Sequence, residues 1–294
     1  MGEQACLAID IGGTKLACGI VTSDGDLVVR ATAPTPKTDD AEVLFGELRA
    51  LVDDVVARAP LPPTLCGVGC GGPMEPDGVT VSPLNIPAWR DFPLRARLAE
   101  ATALDVAIDN DAKALALGEW WCGAGVGHSS FLAMVVSTGV GGGVILDGRI
   151  LDGDRGNAGH IGHVVVDPAG HLCRCGVWGC LEAEASGTAI EAITGRPASE
   201  ATAEIKRRTG EMVGRAVASV VTLLDLTLCV AAGSVALGFG EEFFAAAQAE
   251  LDRHIGLSYT QGARIIPAGL GDAGPLIGAG AVGFGLGRTR GPER

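Results

Sequence analysis

The chain has 294 residues, enough for about two domains, and a chain of this length buries roughly three quarters of its unfolded surface, so a full core is available without staples. Its 22 basic and 35 acidic residues leave a formal net charge of -13, which argues against nucleic acid or an anionic membrane as a partner; any phosphate has to be gripped locally, by backbone N–H groups or a metal. The 45 glycines, about double the usual share, follow no three-residue period and cluster beside apolar runs, as special turns in a folded protein do.

In chain order, the first thirty residues read as strand, glycine turn, strand, turn, strand: Ala5 to Ile11, Lys15 to Val21 and Leu27 to Ala33. Meandering strands at this end argue against a dinucleotide-binding start, which needs a helix after the first strand. Asp40 to Ala59 carries an apolar stripe at Val43, Leu44, Leu48, Leu51, Val52, Val55 and Val56, a helix closed by Pro60. Short strands at Leu65 to Gly69 and Val106 to Asp109 flank a helix near Leu94 to Thr102, and Asp111 to Leu117 opens another helix.

A second meander follows, with a strand at Phe131 to Val136, a glycine turn at Gly139 to Gly143, a strand to Leu146 and the turn Asp147-Gly148. Recurrence of strand, glycine turn, strand suggests two halves of related architecture facing one cleft. Ala216 to Gly240 carries a single charge, Asp225, yet reads as a helix (Val213 to Leu224) and a buried strand (Leu228 to Ala232) rather than as a membrane span. Helices near Glu200 to Leu224 and Glu241 to Leu257 and a glycine-rich tail from Gly269 to Gly287 complete the chain.

Nine cysteines, six of them scattered singly, do not form a secreted disulfide framework. The start Met-Gly-Glu-Gln lacks a basic region and an apolar region, and Cys6 stands where a myristoylation motif wants Ser or Thr, so a reducing cytoplasm is expected.

Asp10-Ile-Gly-Gly-Thr-Lys15 is a phosphate-type turn at the end of a buried strand. Gly12 and Gly13 let amides approach an anion, Thr14 donates, Lys15 supplies charge, and Asp10 suits a hydrated Mg²⁺. Ser137-Thr138-Gly139-Val-Gly141-Gly-Gly143 is a second such turn, and a nucleotide's phosphates lying between the two explains both. Gly67 to Gly72 and Gly269 to Gly274 each satisfy G-x-G-x-x-G, but neither opens a βαβ unit, so neither is read as a dinucleotide site.

His163, Cys173, Cys175 and Cys180 offer three thiolates and an imidazole within eighteen residues, the inventory of a closed tetrahedral Zn²⁺ site; His171 is a competing ligand, more strained by the close cysteine pair. Asn110-Asp111 ends a strand and starts a helix, so Asp111 is either a plain helix-end residue or a general base for a hydroxyl nucleophile. Glu182, two residues past the last cysteine, would be fixed by the metal site and can bind a hydroxyl.

Asp10-Ile-Gly-Gly-Thr-Lys, Asn85-Ile-Pro-Ala-Trp, Asn110-Asp-Ala, Ser137-Thr-Gly-Val-Gly-Gly-Gly, Gly159-His160-Ile-Gly-His163, Cys-Arg-Cys-Gly-Val-Trp-Gly-Cys-Leu-Glu182 and Ala-Gly-Leu-Gly-Asp-Ala-Gly274 together resemble, in this order, the ROK family of sugar kinases and repressors, especially its glucokinases. The likeness covers about residues 5 to 285. It implies an α/β, actin-like (ribonuclease-H-like) two-domain sugar kinase fold with sugar and ATP in the cleft. The expected domains are 1–110, completed by a C-terminal helix 276–294, and 111–275, carrying the zinc loop. By the resemblance Asp111 is the catalytic base, Asn85, Asn110, His163 and Glu182 contact the sugar, and the zinc holds the sugar-binding loop.

The cofactor-binding set expected for ATP and Mg²⁺ is Asp10, Gly12, Gly13, Thr14, Lys15, Thr138, Gly139, Gly141 and Gly233. The resemblance further implies a homodimer or homotetramer. Two departures stand out: His160 occupies a position where the family usually has a Glu that holds sugar hydroxyls near carbons 1 and 2, and the segment between Gly187 and Val213 is short. His160 therefore either weakens discrimination at carbon 2 or is replaced in that contact by Asn157 or Glu184. With the first core strand beginning by residue 5, the repressors' helix-turn-helix is not expected. The activity expected is transfer of the γ-phosphoryl group to the 6-hydroxyl of glucose or a close epimer; the alternatives are an N-acetylhexosamine kinase and a non-catalytic sugar sensor.

Overall fold

The computed structural model describes residues 4–288. By contacts the chain forms two compact units, one of Met1–Val126, Arg149–Ala158 and Leu270–Arg294 and the other of Gly127–Gly148 and Gly159–Gly269. The helix starting at Asp111 and the segment 149–158 thus lie in the first unit, where the sequence places its boundary at residue 110. The C-terminal helix expected at 276–294 instead ends at Gly283, capped by Phe284 and followed by a turn, and residues 289–294 lie outside the described residues.

In the first unit β1 (Ala5–Ile11), β2 (Lys15–Thr22) and β3 (Leu27–Pro34) form the meander, followed by α1 (Ala41–Ala57), β4 (Leu65–Cys70), α2 (Leu94–Thr102), β5 (Asp105–Asn110) and α3 (Asp111–Cys122). The sheet runs β3-β2-β1-β4-β5, with β1/β2 antiparallel and β1/β4 and β4/β5 parallel. Asp40 caps α1 by accepting the Glu42 N–H at 2.8 Å, a carboxylate on the positive end of the helix. Leu44, Phe45, Leu48, Leu51, Val52 and Val55 are buried on α1, whereas Val43 and Val56, included in the stripe read from sequence, are exposed. The buried face is narrower than the sequence stripe because one sheet covers only one side of the helix.

The second unit holds β6 (Phe131–Val136) and β7 (Val140–Leu146); the chain then forms the two-residue β8 (Arg149–Ile150) after the Asp147-Gly148 turn. α4 (Leu181–Ala185), α5 (Gly187–Thr194), α6 (Ala203–Leu224), β9 (Leu228–Ala232), α7 (Ser234–Phe239), α8 (Glu241–His254) and β10 (Arg264–Pro267) follow. Its strands run β10-β9-β6-β7, with β6/β7 antiparallel and β6/β9 and β9/β10 parallel, which repeats the β5-β4-β1-β2 arrangement of the first unit. The stretch 216–240 is a helix, a left-handed cap at Asp225 (φ 54°) and a buried strand; among the described residues no helix is long and apolar enough to cross a membrane.

The glycine-rich tail contains α9 (Gly274–Gly283), in the first unit. Glycine costs a helix interior about 1 kcal/mol relative to alanine. Here a Cβ at Gly278 would collide with the Ala114 carbonyl of α3, so glycine is what lets the two helices touch through their backbones. Gly67, within one of the G-x-G-x-x-G matches, serves the same purpose in β4 against the Ala279 carbonyl.

Candidate functional site

In the first unit the carboxyl ends of three parallel strands lie side by side: Asp10 pairs with Gly69, Gly69 with Asp109, and Cys70 with Asn110. Chain ends of this kind are where open α/β sheets bind ligands. Gly69 lies between the two acidic positions: a Cβ there would sit in ordinary contact with both, 3.5 Å from Asp111 Cα and 3.6 Å from Asp10 Oδ1. Burial, with repulsion from Asp111, pushes the Asp10 carboxyl up to about 7, against the opposing pull of Lys15. The Cys70 thiol beneath is pushed up by burial and by both carboxylates.

The turn Gly12-Gly13-Thr14 is closed by the Gly12 N–H to the Lys15 carbonyl at 3.0 Å. Thr35, at the end of β3, pins it from behind, donating Oγ1–H to the Gly12 carbonyl at 2.6 Å and its N–H to the Thr14 carbonyl at 3.1 Å. Gly13, Thr14 and Lys15 stay exposed. Asn85 lies directly on this turn, since a Cβ at Gly13 would be 2.7 Å from Asn85 Cβ. The loop carrying Asn85 is held by Arg90, which donates to the Pro83 and Ile86 carbonyls, both at 3.0 Å, and by buried Trp89, stacked on Phe92 at 4.6 Å. Asn110 is the N-cap of α3, accepting the Ala112 N–H at 3.0 Å, which leaves its amide NH₂ as the donor for a ligand. Asp111 follows at the first helical position, exposed.

In the second unit the turn between β6 and β7 is tighter than the sequence suggests. Gly141, Gly142 and Gly143 lie inside β7, opposite Val135, Met134 and Ala133, and only Ser137, Thr138 and Gly139 turn. The reason is packing: Cβ atoms at Gly159 and Gly162 would collide with the Gly142 and Val140 carbonyl oxygens, so the 159–163 loop rests on bare strand backbone. Glu182 Oε2 accepts the Val140 N–H at 3.0 Å and would lie 2.9 Å from a Cβ at Gly139. It therefore holds the glycine turn, a contact the sequence reading did not foresee. Thr188 donates to the Thr138 carbonyl at 2.9 Å, and Ser137 and Ser234 hydroxyls meet at 3.0 Å, which sets Gly233 (φ 98°) beside the turn.

The ligating atoms of His163, Cys173, Cys175 and Cys180 all lie within 4.8 Å of one another. His163 Nδ1 is 3.7 Å from Cys173 Sγ, and Cys175 Sγ is 3.6 Å from Cys180 Sγ. Zinc bonds of about 2.3 Å to sulfur and 2.0–2.1 Å to nitrogen imply tetrahedral edges of about 3.5–3.8 Å, so the donor set and its spacing suit that ion. His171, the competing ligand, is turned elsewhere: its Nδ1 sits 3.0 Å from Glu184 Oε1. Glu184 is fully buried and also takes Arg208 at 2.5 Å. Burial alone would raise its carboxyl, but the N–H of His171, Arg208 and the imidazole hold it below the usual range. Glu184 is thus committed to anchoring the cysteine loop and does not stand in for a carboxylate at His160. Asn157 donates to the Arg155 carbonyl at 2.8 Å. His160 is exposed, its ring 6.1 Å from that of His163.

Thr35, Ser234 and Thr188 carried no signal in the sequence, because each acts through a backbone or hydroxyl contact with a residue far away in the chain, and Arg90 carried none because it holds backbone carbonyls of its own loop, which any residue offers.

Two α/β units, each built on a sheet whose hairpin ends in a glycine turn, define the actin-like fold of sugar kinases. The ROK family model matches residues 6–283, and the chain belongs to the ROK family. It is 40% identical over 198 residues to a glucokinase of Halalkalibacterium halodurans, an alignment that covers 66% of this chain and 60% of the relative, so the match spans less than two thirds of that enzyme. An N-acetylmannosamine kinase of Yersinia pseudotuberculosis is 36% identical over 250 residues, 80% of this chain and 84% of the relative. Among solved structures, a ROK family glucokinase from Streptomyces griseus in complex with glucose and AMPPNP superposes with a TM-score of 0.84 at 28% identity, over 96% of this chain and 99% of that one.

Proposed function

We propose that the protein is an ATP-dependent hexose kinase that phosphorylates the 6-hydroxyl of glucose or a close epimer. The observation that carries the reading is the placing of Asp10 and Asp111 on either side of Gly69 at the carboxyl ends of β1, β4 and β5, beside a turn whose residues Gly13, Thr14 and Lys15 are exposed. Asp111, at the start of α3, accepts the proton of the attacking hydroxyl. Asn85 and the Asn110 NH₂ orient that sugar from the first unit. Gly13, Thr14 and Lys15 supply N–H, hydroxyl and ammonium donors for phosphate oxygens, with Gly12 closing their turn, and Thr138, Gly139 and Gly233 supply hydroxyl and N–H donors on the second unit, with Gly141 behind them in β7.

Asp10 and Asp111 on either side of Gly69, with the Asp10 carboxyl driven up to about 7 by burial and by Asp111, fit a divalent cation, and Asp10 would hold Mg²⁺ through its water shell. When bound, Mg²⁺ neutralises charge on the transferring phosphoryl group. His163, Cys173, Cys175 and Cys180 would hold a structural Zn²⁺, since four protein ligands leave no position for water. With Nδ1 on the metal side, His163 presents Nε2 to a sugar hydroxyl. Glu182, fixed through Val140, presents its other oxygen.

The likeness to glucokinases at 40% identity and to a glucokinase bound to glucose and AMPPNP supports this reading. The N-acetylmannosamine kinase relative, matched over 84% of its length, favours a second one, in which carbon 2 carries an acetamido group that the His160 N–H can meet. A sugar sensor without turnover has no need of Asp111. Coupled ADP-release assays with ATP and Mg²⁺ on glucose, mannose, allose, fructose and the two N-acetylhexosamines decide among them; absence of sugar-dependent ADP release with every hexose would leave the sensor. Size-exclusion chromatography tests the homodimer or homotetramer that the family likeness suggests, and elemental analysis of protein purified without added metal is expected to find one zinc per chain.

A further inference from the structure

The chain passes between its two compact units at four places: Val126/Gly127, Gly148/Arg149, Ala158/Gly159 and Gly269/Leu270. On the first unit, two buried ionic side chains of α3 grip the segments leading to these points, and the chemistry above uses neither. Glu119 is 0% exposed. Its Oε2 accepts the Ala124 N–H at 2.7 Å, and its Oε1 accepts the Leu270 N–H at 3.1 Å. Lys113, 2% exposed, is paired with Asp109 at 3.0 Å and with Asp152, and reaches the Gly156 carbonyl at 3.4 Å, so it fastens the 149–158 segment. A single helix therefore grips, on the first unit, the three segments that lead to the four crossings, and the same helix begins at Asp111.

We propose that Glu119 is a positioning residue for the phosphoryl transfer inferred above, fixing the points from which residues 126 and 270 depart and so the fraction of molecules in a reactive arrangement. The inference rests on the kinase reading. A carboxylate suits the task because two amide donors converge on two acceptor oxygens. Glutamine keeps one acceptor and turns an NH₂ toward the other N–H, leaving a buried donor unmet. When only a fraction of molecules is competent, apparent affinity falls by that fraction while the rate at saturation is retained.

Glu119→Gln is expected to raise the KM for sugar and for ATP by about tenfold with kcat within about threefold of wild type, and to speed amide hydrogen exchange at Ala124 and Leu270. The control is Glu250→Gln, a buried carboxylate of the second unit held by Arg215 at 2.6 Å and by Arg253. It should lower Tm to a similar extent without moving either KM. Unchanged KM values in Glu119→Gln, or an equal rise in Glu250→Gln, would reduce Glu119 to a stability residue. If the wild type turns over no hexose, the kinase reading fails on its own, and unchanged exchange at Ala124 and Leu270 in Glu119→Gln would still overturn the hold assigned to the carboxylate. Should Glu119→Gln not fold, Glu119→Asp, which draws both acceptors back by one methylene, should give the same ordering at smaller amplitude.

Discussion

At the first unit's turn, a Cβ on Gly12 would come no closer than 3.2 Å to the Lys15 carbonyl, and the neighbouring Gly13, Thr14 and Lys15 are exposed; in the second unit, Cβ atoms at Gly159 and Gly162 would run into strand carbonyls. Similar glycine-rich strings thus do different work. The first leaves Gly13, Thr14 and Lys15 exposed while Gly13 lets Asn85 pack on the turn, and its carboxylate, Asp10, lies inside the strand. The second mostly lets a loop lie flat on β7, and its carboxylate, Glu182, arrives from α4 to hold the turn at Val140. Glycine in a motif identifies the absence of a side chain and leaves open whether a ligand or the protein itself fills the space.

If the first unit carries the reacting groups, the largest effect comes from Asp111→Asn, which preserves shape and removes the base. Turnover should fall at least about 10²-fold with sugar affinity little changed, as read by coupled ADP release and by calorimetry. Near-wild-type turnover would leave Asp111 a helix-end residue and erase the chemical side of the contrast.

The contrast between the two glycine sets predicts a crossover. Gly162→Ala overpacks a backbone contact, an expected loss of roughly 1–3 kcal/mol, or about 3–10 °C in Tm for a chain of this size. Gly12→Ala meets only the Lys15 carbonyl, at 3.2 Å, so it should lower Tm by less than Gly162→Ala does and, if phosphate oxygens approach this turn as proposed, raise the KM for ATP several-fold. Equal Tm losses in both variants would show that both turns are packing devices.

A smaller effect reads the buried carboxyl of the first unit, Asp10, by pH. The Asp10 carboxyl is raised from 3.8 to about 7 in the folded protein, so the folded state keeps a proton that the unfolded chain gives up; stability falls as pH rises through that window. In metal-free buffer Asp10→Asn should match wild type near pH 4 and be the more stable protein above pH 7, by a few degrees in thermal melts. A Tm difference that does not change with pH would show that Asp111 and burial do not raise Asp10.

Much of this was legible before any coordinates. Apolar runs separated by turn residues gave the meander of the first unit, Asp40 and Pro60 bracketed α1, and the break at Asp225 separated α6 from β9. Local rules suffice there, because caps, turn residues and apolar period are properties of neighbours in the chain. The cysteine cluster was legible for a similar reason: four donors within eighteen residues have few ways to avoid one another. Which histidine joined them was a tertiary matter, decided when buried Glu184 drew His171 away.

The sequence by itself determined the strand and helix order of the first unit up to α3, the repeat of hairpin architecture and the clustering of His163 with three cysteines, since these follow from local spacing, whereas α4, α5, α7 and β10 were not read from it. Only the tertiary structure decided that Gly141 to Gly143 belong to a strand, that α9 uses its glycines to touch α3, and that Thr35, Glu182 and Glu119 hold backbone N–H or C=O groups distant in the chain. The physical reason is that a side chain's partner is set by what is packed nearby once the chain has folded. Leu270 and Glu119, 151 residues apart, share no local pattern that could announce their hydrogen bond.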